Sequence, residues 1–449
     1  MRKIIVLIFT LFFTISAVHA ESINKAIKKL GINSSSVSIS VKDVQNGHVV
    51  YSQNERMPMN PASTLKLVTA SISHDILGDA YKYETTLYKS TNNDLYLELS
   101  GDPLLKTSDL EYLLEVANSK SISPKTFYID DTVFDKVEWG EGWQWDDEFN
   151  PLMPKFSAYN IENNLLRVEI MPTYNRRPAS ISVKPFYPLS FVNSVITDSK
   201  QPTNIKVERS NEIAVNMFNV VGSVSKAFVK TIPVPNTKMN FILRLEEAIR
   251  NKKFDYYNSI KIGVLPEDNI YVVATVTREL APIMTAILKN SNNLMAETLF
   301  KTAGAEYFKQ AGSQENSTTM VKDYFKSFDI NSDDIKIVDG SGVSKNNIMT
   351  ADFMTNFLIY RANKANFEVF KSMLPTAGEG TLKDRMLYFK DNIRAKTGTL
   401  ADTSAIAGYI TSRRGKVYAF DIMICDAKTS SADKKNIEEQ ILRLIYTNY

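Results

Sequence analysis

The sequence predicts an α+β protein of several domains, in which an antiparallel sheet flanked by helices is assembled from both ends of the chain. Three observations lead there. Strand and helix patterns cluster at the two termini, and pairing them into one sheet is the economical arrangement. The stretch between them turns to short alternating runs rich in Val, Ser, Thr, Asn and Pro. The chain has 449 residues, 44% hydrophobic and 23% charged, an ordinary globular composition at a length that allows more than one domain.

Met1-Arg2-Lys3 sets positive charge before Ile4 to Ala17, an apolar stretch broken only by Thr and Ser. Val18-His19-Ala20 supplies the small residues that signal peptidase needs, so residues 1–20 read as a signal peptide cleaved after Ala20. A retained anchor is the alternative, but the run is short for a spanning helix and polar Glu21-Ser22 follows. No later run reaches the ~18 apolar residues of a span, so no integral membrane segment is expected after cleavage. Residues 22–30 read as a short helix. Val37 to Val41 alternates as a strand, Gln45-Asn46-Gly47 turns it, and His48 to Tyr51 returns. Pro61-Ala62 then precedes a helix from Ser63 to about Leu77, with Leu65, Leu67, Val68 and Ile72 as core candidates.

The middle is β-rich, with alternating runs such as Ile181 to Val183 and Ala214 to Val221. Asn240 to Arg250 is helical, Lys261 to Val264 and Tyr271 to Val276 are strands, and Ala281–Lys289 and Leu294–Phe308 are helices. Near the end, Ile393 to Lys396, Ser404 to Ile410 and Val417 to Ile424 are strands. Ser430-Ser431 can cap a last helix bearing Ile437, Ile441, Leu444 and Ile445. One or two domains are therefore inserted into the terminal one.

Charge and composition exclude several functions. A formal charge of +3 with no basic run gives no case for nucleic acid as a partner. Cys425 is the sole cysteine, so no internal disulfide forms, and its apolar strand suggests a buried structural thiol. Outside the leader only His48 and His74 remain, with no zinc pattern and no recognisable Ser-His-Asp context. No metal or organic cofactor is called for.

Three motifs carry chemistry. In Ser63-Thr64-Leu65-Lys66 a serine and a lysine three apart share one helix face. A hydroxyl needs a base to become a nucleophile, and a buried lysine can serve. The same spacing occurs at Ser22/Lys25, Ser223/Lys226 and Ser431/Lys434; only Ser63 follows a proline and opens a long apolar helix, whose dipole favours developing negative charge. Ser291-Asn292-Asn293 joins two helices and can aim Ser291 and Asn293 into one cleft, or be an ordinary capped junction. Lys396-Thr397-Gly398-Thr399 enters a strand. Its edge can pair with an extended peptide, Lys396 and Thr397 can bind a terminal carboxylate, and the Thr399 N–H can join that of Ser63 in an oxyanion hole. A plain strand-edge lysine before a turn is the alternative.

In this order the motifs match the set of penicillin-binding proteins and class A β-lactamases. The chain resembles the class C low-molecular-mass penicillin-binding proteins, the D-alanyl-D-alanine carboxypeptidase/endopeptidase family. The gap of about 228 residues between Ser63 and Ser291 resembles that family's inserted domains. Ser100-Gly101-Asp102-Pro103, Gly142-Trp143-Gln144-Trp145-Asp146-Asp147, Asp339-Gly340-Ser341-Gly342 and Gly380-Thr381-Leu382 are similar too.

The resemblance implies a penicillin-binding-protein/β-lactamase-like catalytic domain I of residues 21–86 and 272–449. It also implies a domain II of 87–170 and 233–271, and a β-rich domain III of 171–232. It implies an exported, periplasmic serine carboxypeptidase that also cleaves D,D-cross-links, with peptidoglycan stem peptides and β-lactams as its ligands. One of Asp146 and Asp147 would meet the amino group, and Arg385 the carboxyl group, of a diaminopimelate side chain. The alternatives are a catalytically weak peptidoglycan-binding scaffold and a β-lactamase. Ser-Asn-Asn replaces the Ser-Asp-Asn of many relatives.

Overall fold

The computed structural model describes Ile23, Lys25, Ile27, Lys28 and residues 31–209, 216–328 and 330–449. The expected signal peptide and most of the helix expected at 22–30 lie outside the described residues. So does the start of the run expected from Ala214.

The chain opens with a hairpin of β1 (Val37–Asp43) and β2 (Val49–Gln53). A 3-10 turn at Ala62–Leu65 leads into α1 (Lys66–Leu77). Every residue of α1 from Lys66 to His74 is buried, as expected of a helix that runs through a core rather than over it. Gly78, at φ 79°, ends it.

After α1 come β3 (Lys82–Ser90) and β4 (Leu95–Glu98), followed by α2 (Thr107–Ser119) and β5 (Phe127–Asp130). Next come β6 (Leu165–Met171), β7 (Ser180–Lys184), β8 (Ser190–Thr197), β9 (Asn204–Arg209), β10 (Met217–Val224) and β11 (Phe228–Pro233). Helix α3 (Thr237–Asn251), β12 (Lys261–Ile262) and β13 (Ile270–Glu279) follow.

The chain then returns through α4 (Leu280–Asn290), α5 (Asn293–Phe308), α6 (Gln314–Ser327), α7 (Ala351–Ala362) and α8 (Phe367–Met373). It ends with β14 (Ile393–Thr399), β15 (Thr403–Thr411), β16 (Val417–Cys425) and α9 (Ser431–Asn448).

Both termini do share one sheet. Its order is β14-β15-β16-β1-β2, with antiparallel pairing throughout. Strand alternation sends Ile406, Phe420 and Ile422 to one face, where they meet Ile437, Ile441 and Ile445 of α9. These side chains are wholly buried, worth roughly 1.5–3 kcal/mol each. Ala407, Tyr409 and Ala419 point the other way, against the core that α1, α4, α5 and α7 build. The site forms where that helical layer meets the edge strand β14.

A second five-stranded sheet, β12-β5-β4-β3-β13, carries α2 and α3 against one face through Leu110, Leu114, Phe241 and Leu245. β3 and β13 pair along their length, from Ser90 opposite Ile270 to Lys82 opposite Glu279. The boundaries expected at 86/87 and 271/272 thus fall inside these paired strands. Two three-stranded sheets, β8-β10-β9 and β11-β6-β7, enclose Leu166, Val168, Phe218, Val220 and Ile232. This β-rich unit starts at Leu165 and ends at Pro233.

Cys425 corrects one expectation. It is exposed, not buried. It is the last residue of β16, beyond the packed row that ends at Ile424, so the strand's apolar pattern no longer governs it. Among the described residues no helix is long and apolar enough to cross a membrane.

Candidate active site

Ser63 lies in the 3-10 turn before α1, where the chain is forced into an uncommon conformation. Ala62 has φ 47° and is wholly buried. Two side-chain bonds fix it there: Asn60 Oδ1 accepts from the Ala62 N–H at 2.8 Å, and the Asn60 amide donates to the Ser344 carbonyl at 2.9 Å. Two glycines make the space. A Cβ on Gly342 would sit 2.0 Å from the Ala62 carbonyl oxygen. One on Gly398 would sit 2.9 Å from the Ser63 nitrogen. The Lys-Thr-Gly strand therefore lies directly against the serine's backbone, and only glycine allows that approach.

One helical turn on, Lys66 is wholly buried with its amine on three acceptors. These are Ser63 Oγ at 3.0 Å, Asn293 Oδ1 at 2.6 Å and the Ser341 carbonyl at 2.6 Å. Burial pulls its pKa down to about 7, against the opposing pull of Asp339 and Glu297. A second buried amine, Lys396, donates to Ser291 Oγ at 2.8 Å and to the Thr397 carbonyl at 2.7 Å. Burial, and then the positive charge of Lys66, hold it well below the ordinary lysine range.

Ser291-Asn292-Asn293 divides its labour residue by residue. Ser291, at φ 60°, closes α4 in the left-handed conformation and turns its hydroxyl to Lys396. Asn292 caps α5 by accepting from the Met295 N–H at 3.0 Å, which an aspartate does equally well. The departure at this position therefore leaves Ser291 and Asn293 in place. The Asn293 amide donates to the Leu152 carbonyl at 2.8 Å and so ties the motif to the opposite wall.

Ser63, Ser291, Asn293, Thr397 and Thr399 line one cavity of about 660 Å³. Asp147 and Arg385 line it too, whereas Asp146 does not. Asp147 belongs to a 3-10 turn at Trp145–Phe149. Phe149 anchors that turn against Phe218, with ring centroids 5.1 Å apart, while Glu148 pairs with Lys155 and Arg209. Trp143 is buried against Trp139 and Phe156, whereas Trp145, in the turn itself, is 76% exposed. Arg385 is only partly free. It pairs with buried Glu438 at 2.7 Å and donates to the Lys435 carbonyl at 3.1 Å.

The other Ser-x-x-Lys pairs carry no such arrangement where they are described. Lys434 is spent on the carbonyls of Asp402 and Asp426. His48 sits exposed after its turn, and His74 is buried beside a different cavity, bonded to Asp79 at 2.6 Å.

Sequence reasoning missed four participants: the Ser341 carbonyl, Glu297, the Leu152 carbonyl and Lys435. Three, the Ser341, Leu152 and Lys435 carbonyls, are backbone acceptors, which no side-chain pattern marks. Glu297 had a faint signal, since it lies one turn after Asn293 on the same helix face.

The lysine's state gives a pH prediction. A base must be neutral to take a proton, and the Lys66 amine loses its proton as pH rises through about 7. If Lys66 serves as base to Ser63, acylation of that serine by a β-lactam, the ligand class the resemblance implies, will climb with pH through that region. Single-turnover rates measured from about pH 5.5 to 8.5 check this, and a flat profile would count against Lys66 as the base.

The D-Ala-D-Ala carboxypeptidase 3 (S13) family profile matches residues 19–447. A D-alanyl-D-alanine carboxypeptidase of an Actinomadura species is 26% identical over 434 residues, covering 90% of this chain and 80% of its own. The D-alanyl-D-alanine carboxypeptidase DacB of Haemophilus influenzae is 24% identical over 425 residues, covering 89% of this chain and 88% of its own. The crystal structure of penicillin-binding protein 4 from Haemophilus influenzae superposes with a TM-score of 0.82 at 24% identity, covering 95% of this chain and 99% of that one.

Proposed function

Because the chain belongs to the D-Ala-D-Ala carboxypeptidase 3 (S13) family and is a serine-type peptidase, we propose that Ser63 is its nucleophile and Lys66 the base that activates it. The observation that carries this is the Lys66 amine itself. It is buried, has a pKa near 7, and lies 3.0 Å from the only motif serine that opens the α1 helix.

The steps follow from the residues. Ser63 attacks the carbonyl of the penultimate D-alanine, and Lys66 accepts the hydroxyl proton. The N–H groups of Ser63 and Thr399 stabilise the oxyanion; the close packing of Gly398 on Ser63 supports this pairing. Ser291, bonded to Lys396, passes a proton to the departing D-alanine amine. The terminal carboxylate lies by Lys396, Thr397 and Thr399, and its negative charge restores the cationic form of Lys396 that burial alone opposes. Asn293 holds the substrate peptide. Water then releases the acyl group. If the leaving amine belongs to a cross-link, the same steps give endopeptidase activity, and a β-lactam acylates Ser63 in the same way. Mass mapping of a penicillin adduct tests the assignment, and an adduct on any peptide lacking Ser63 would refute it.

We further assign substrate side-chain recognition to Asp147 and Arg385. Asp147 offers a carboxylate to an ammonium, and Arg385 keeps the part of its fork that Glu438 does not take for a carboxylate. Asp147→Asn will raise KM for stem peptides with a free side-chain amine several-fold, and leave KM unchanged for those without one; equal effects on both would remove Asp147 from this role. The nested domains read as 81–279 inserted into the catalytic unit, with 165–233 inserted in turn. Peptidoglycan lies outside the cytoplasmic membrane, so the periplasm is the place of action that this reading requires.

A further inference from the structure

Glu297 is the one buried acid of α5 in direct contact with the loop that supports the base. It is wholly buried, and its two carboxylate oxygens each accept a backbone N–H, from Gly340 at 3.1 Å and from Ser341 at 2.8 Å. The turn they hold is pressed against α5: a Cβ on Gly340 would meet the Ala296 carbonyl at 2.9 Å. A second pin comes from Thr69 of α1, whose hydroxyl donates to the Gly340 carbonyl at 2.7 Å. The Ser341 carbonyl leaves this turn pointing at Lys66, 2.6 Å away.

That carbonyl decides where the lysine's lone pair points. A neutral amine has two N–H donors and one lone pair. The two short contacts, to Asn293 Oδ1 and to the Ser341 carbonyl, take the donors. The lone pair is then left for the Ser63 hydroxyl proton, along the 3.0 Å contact. Both acceptors are set by one face of α5, directly by Asn293 and through the turn by Glu297 four residues on.

We propose that Glu297 is a positioning residue for Lys66: its carboxylate holds the turn whose carbonyl orients the amine, and its negative charge favours the protonated amine. The proposal rests on the reading of Ser63 and Lys66 given above. Burial and the nearby Asp339 raise the Glu297 pKa, while the bonds from Gly340 and Ser341 pull back toward the carboxylate form. The charged groups around Glu297 are Lys66 on α1, Asp339 on the turn and Lys301 on α5 itself, with Lys396 of β14 beyond Lys66. Asp339 is taken by other donors: the N–H groups of Gly342 and Ser344, the Asn347 amide and the Trp143 indole. Lys301 is taken by Asp135 and the Val137 carbonyl. Glu297 is thus the acid that grips the Ser341 N–H.

Two variants separate charge from reach. Glu297→Gln removes the charge but keeps one oxygen to accept the Ser341 N–H, giving up the longer Gly340 bond to its amide nitrogen, so the acid limb of penicillin acylation will move to lower pH by roughly half a unit or more. Glu297→Asp keeps the charge and shortens the reach, so the limb will stay in place while the plateau rate falls about tenfold. Single-turnover rate constants are read, since misfolded protein lowers only the amplitude. A residue with a merely structural role would lower amplitude and melting temperature without moving the limb. An unmoved limb in Glu297→Gln overturns the proposal, as does a displaced limb in Glu297→Asp; if Glu297→Gln gives no amplitude, Glu297→Asp alone decides. The wild-type adduct is mapped in the same series. An adduct away from Ser63 defeats the underlying reading, whereas an adduct on Ser63 with an unmoved limb defeats this inference alone.

Discussion

Ser63→Ala will abolish covalent labelling by a fluorescent penicillin and lower D-alanine release by on the order of 10⁴-fold or more. No other group can take over the attack. Ser291 Oγ is held by Lys396, and the Lys66 amine faces Ser63, Asn293 and Ser341. The fold will tolerate the change, because Ser63 is partly exposed and its hydroxyl is only one of three acceptors around Lys66. An unchanged melting temperature with labelling lost is therefore the expected pair of results. Labelling that persists in the variant would end the assignment.

Lys66→Met comes second in size. It will slow acylation by on the order of 10³-fold, within the range general bases contribute. Methionine fills much of the same buried space but cannot take a proton. The energetic balance is mixed. Asn293 Oδ1 and the Ser341 carbonyl lose their donor, at about 1–3 kcal/mol for each buried group left unpaired. Against this, a buried amine whose pKa is depressed to about 7 no longer has to be accommodated. A modest change in melting temperature beside a large loss in acylation rate separates catalysis from stability. Equal acylation rates in Lys66→Met and wild type would shift the role of base to Lys396, the other amine in the site.

Where the chain's own spacing carries the information, the sequence could be read. The helix after Ser63, the helix pair around Ser291 and the three closing strands lie close to where apolar periodicity sets them. The union of both termini in one sheet was legible from the clustering of elements at the two ends. The pairing of β3 with β13 was not, because it joins segments far apart in the chain. Cys425 was misjudged for a related reason. An apolar run tells which strand is buried, not which residue is the last to be covered.

Which of Asp146 and Asp147 borders the cavity shows the limit most plainly. Adjacent residues of a 3-10 turn point in different directions, and the turn is oriented by Phe149 on Phe218 and by Glu148 on Arg209, partners far along the chain. Arg385 likewise was visible as a cation, but its buried counter-ion Glu438 was not.

By itself the sequence determined the reactive residue types, their order and the turn-by-turn spacing that sets a lysine beside a serine, since helix geometry fixes neighbours three apart. Only the tertiary structure decided that Asn293 and the Ser341 carbonyl both meet the Lys66 amine, that Gly398 lies on Ser63, and that Glu297 accepts from the Gly340 and Ser341 N–H groups. Those contacts join segments hundreds of residues apart. Burial both depresses the amine's pKa and aims it, and burial belongs to the packed molecule rather than to any stretch of chain.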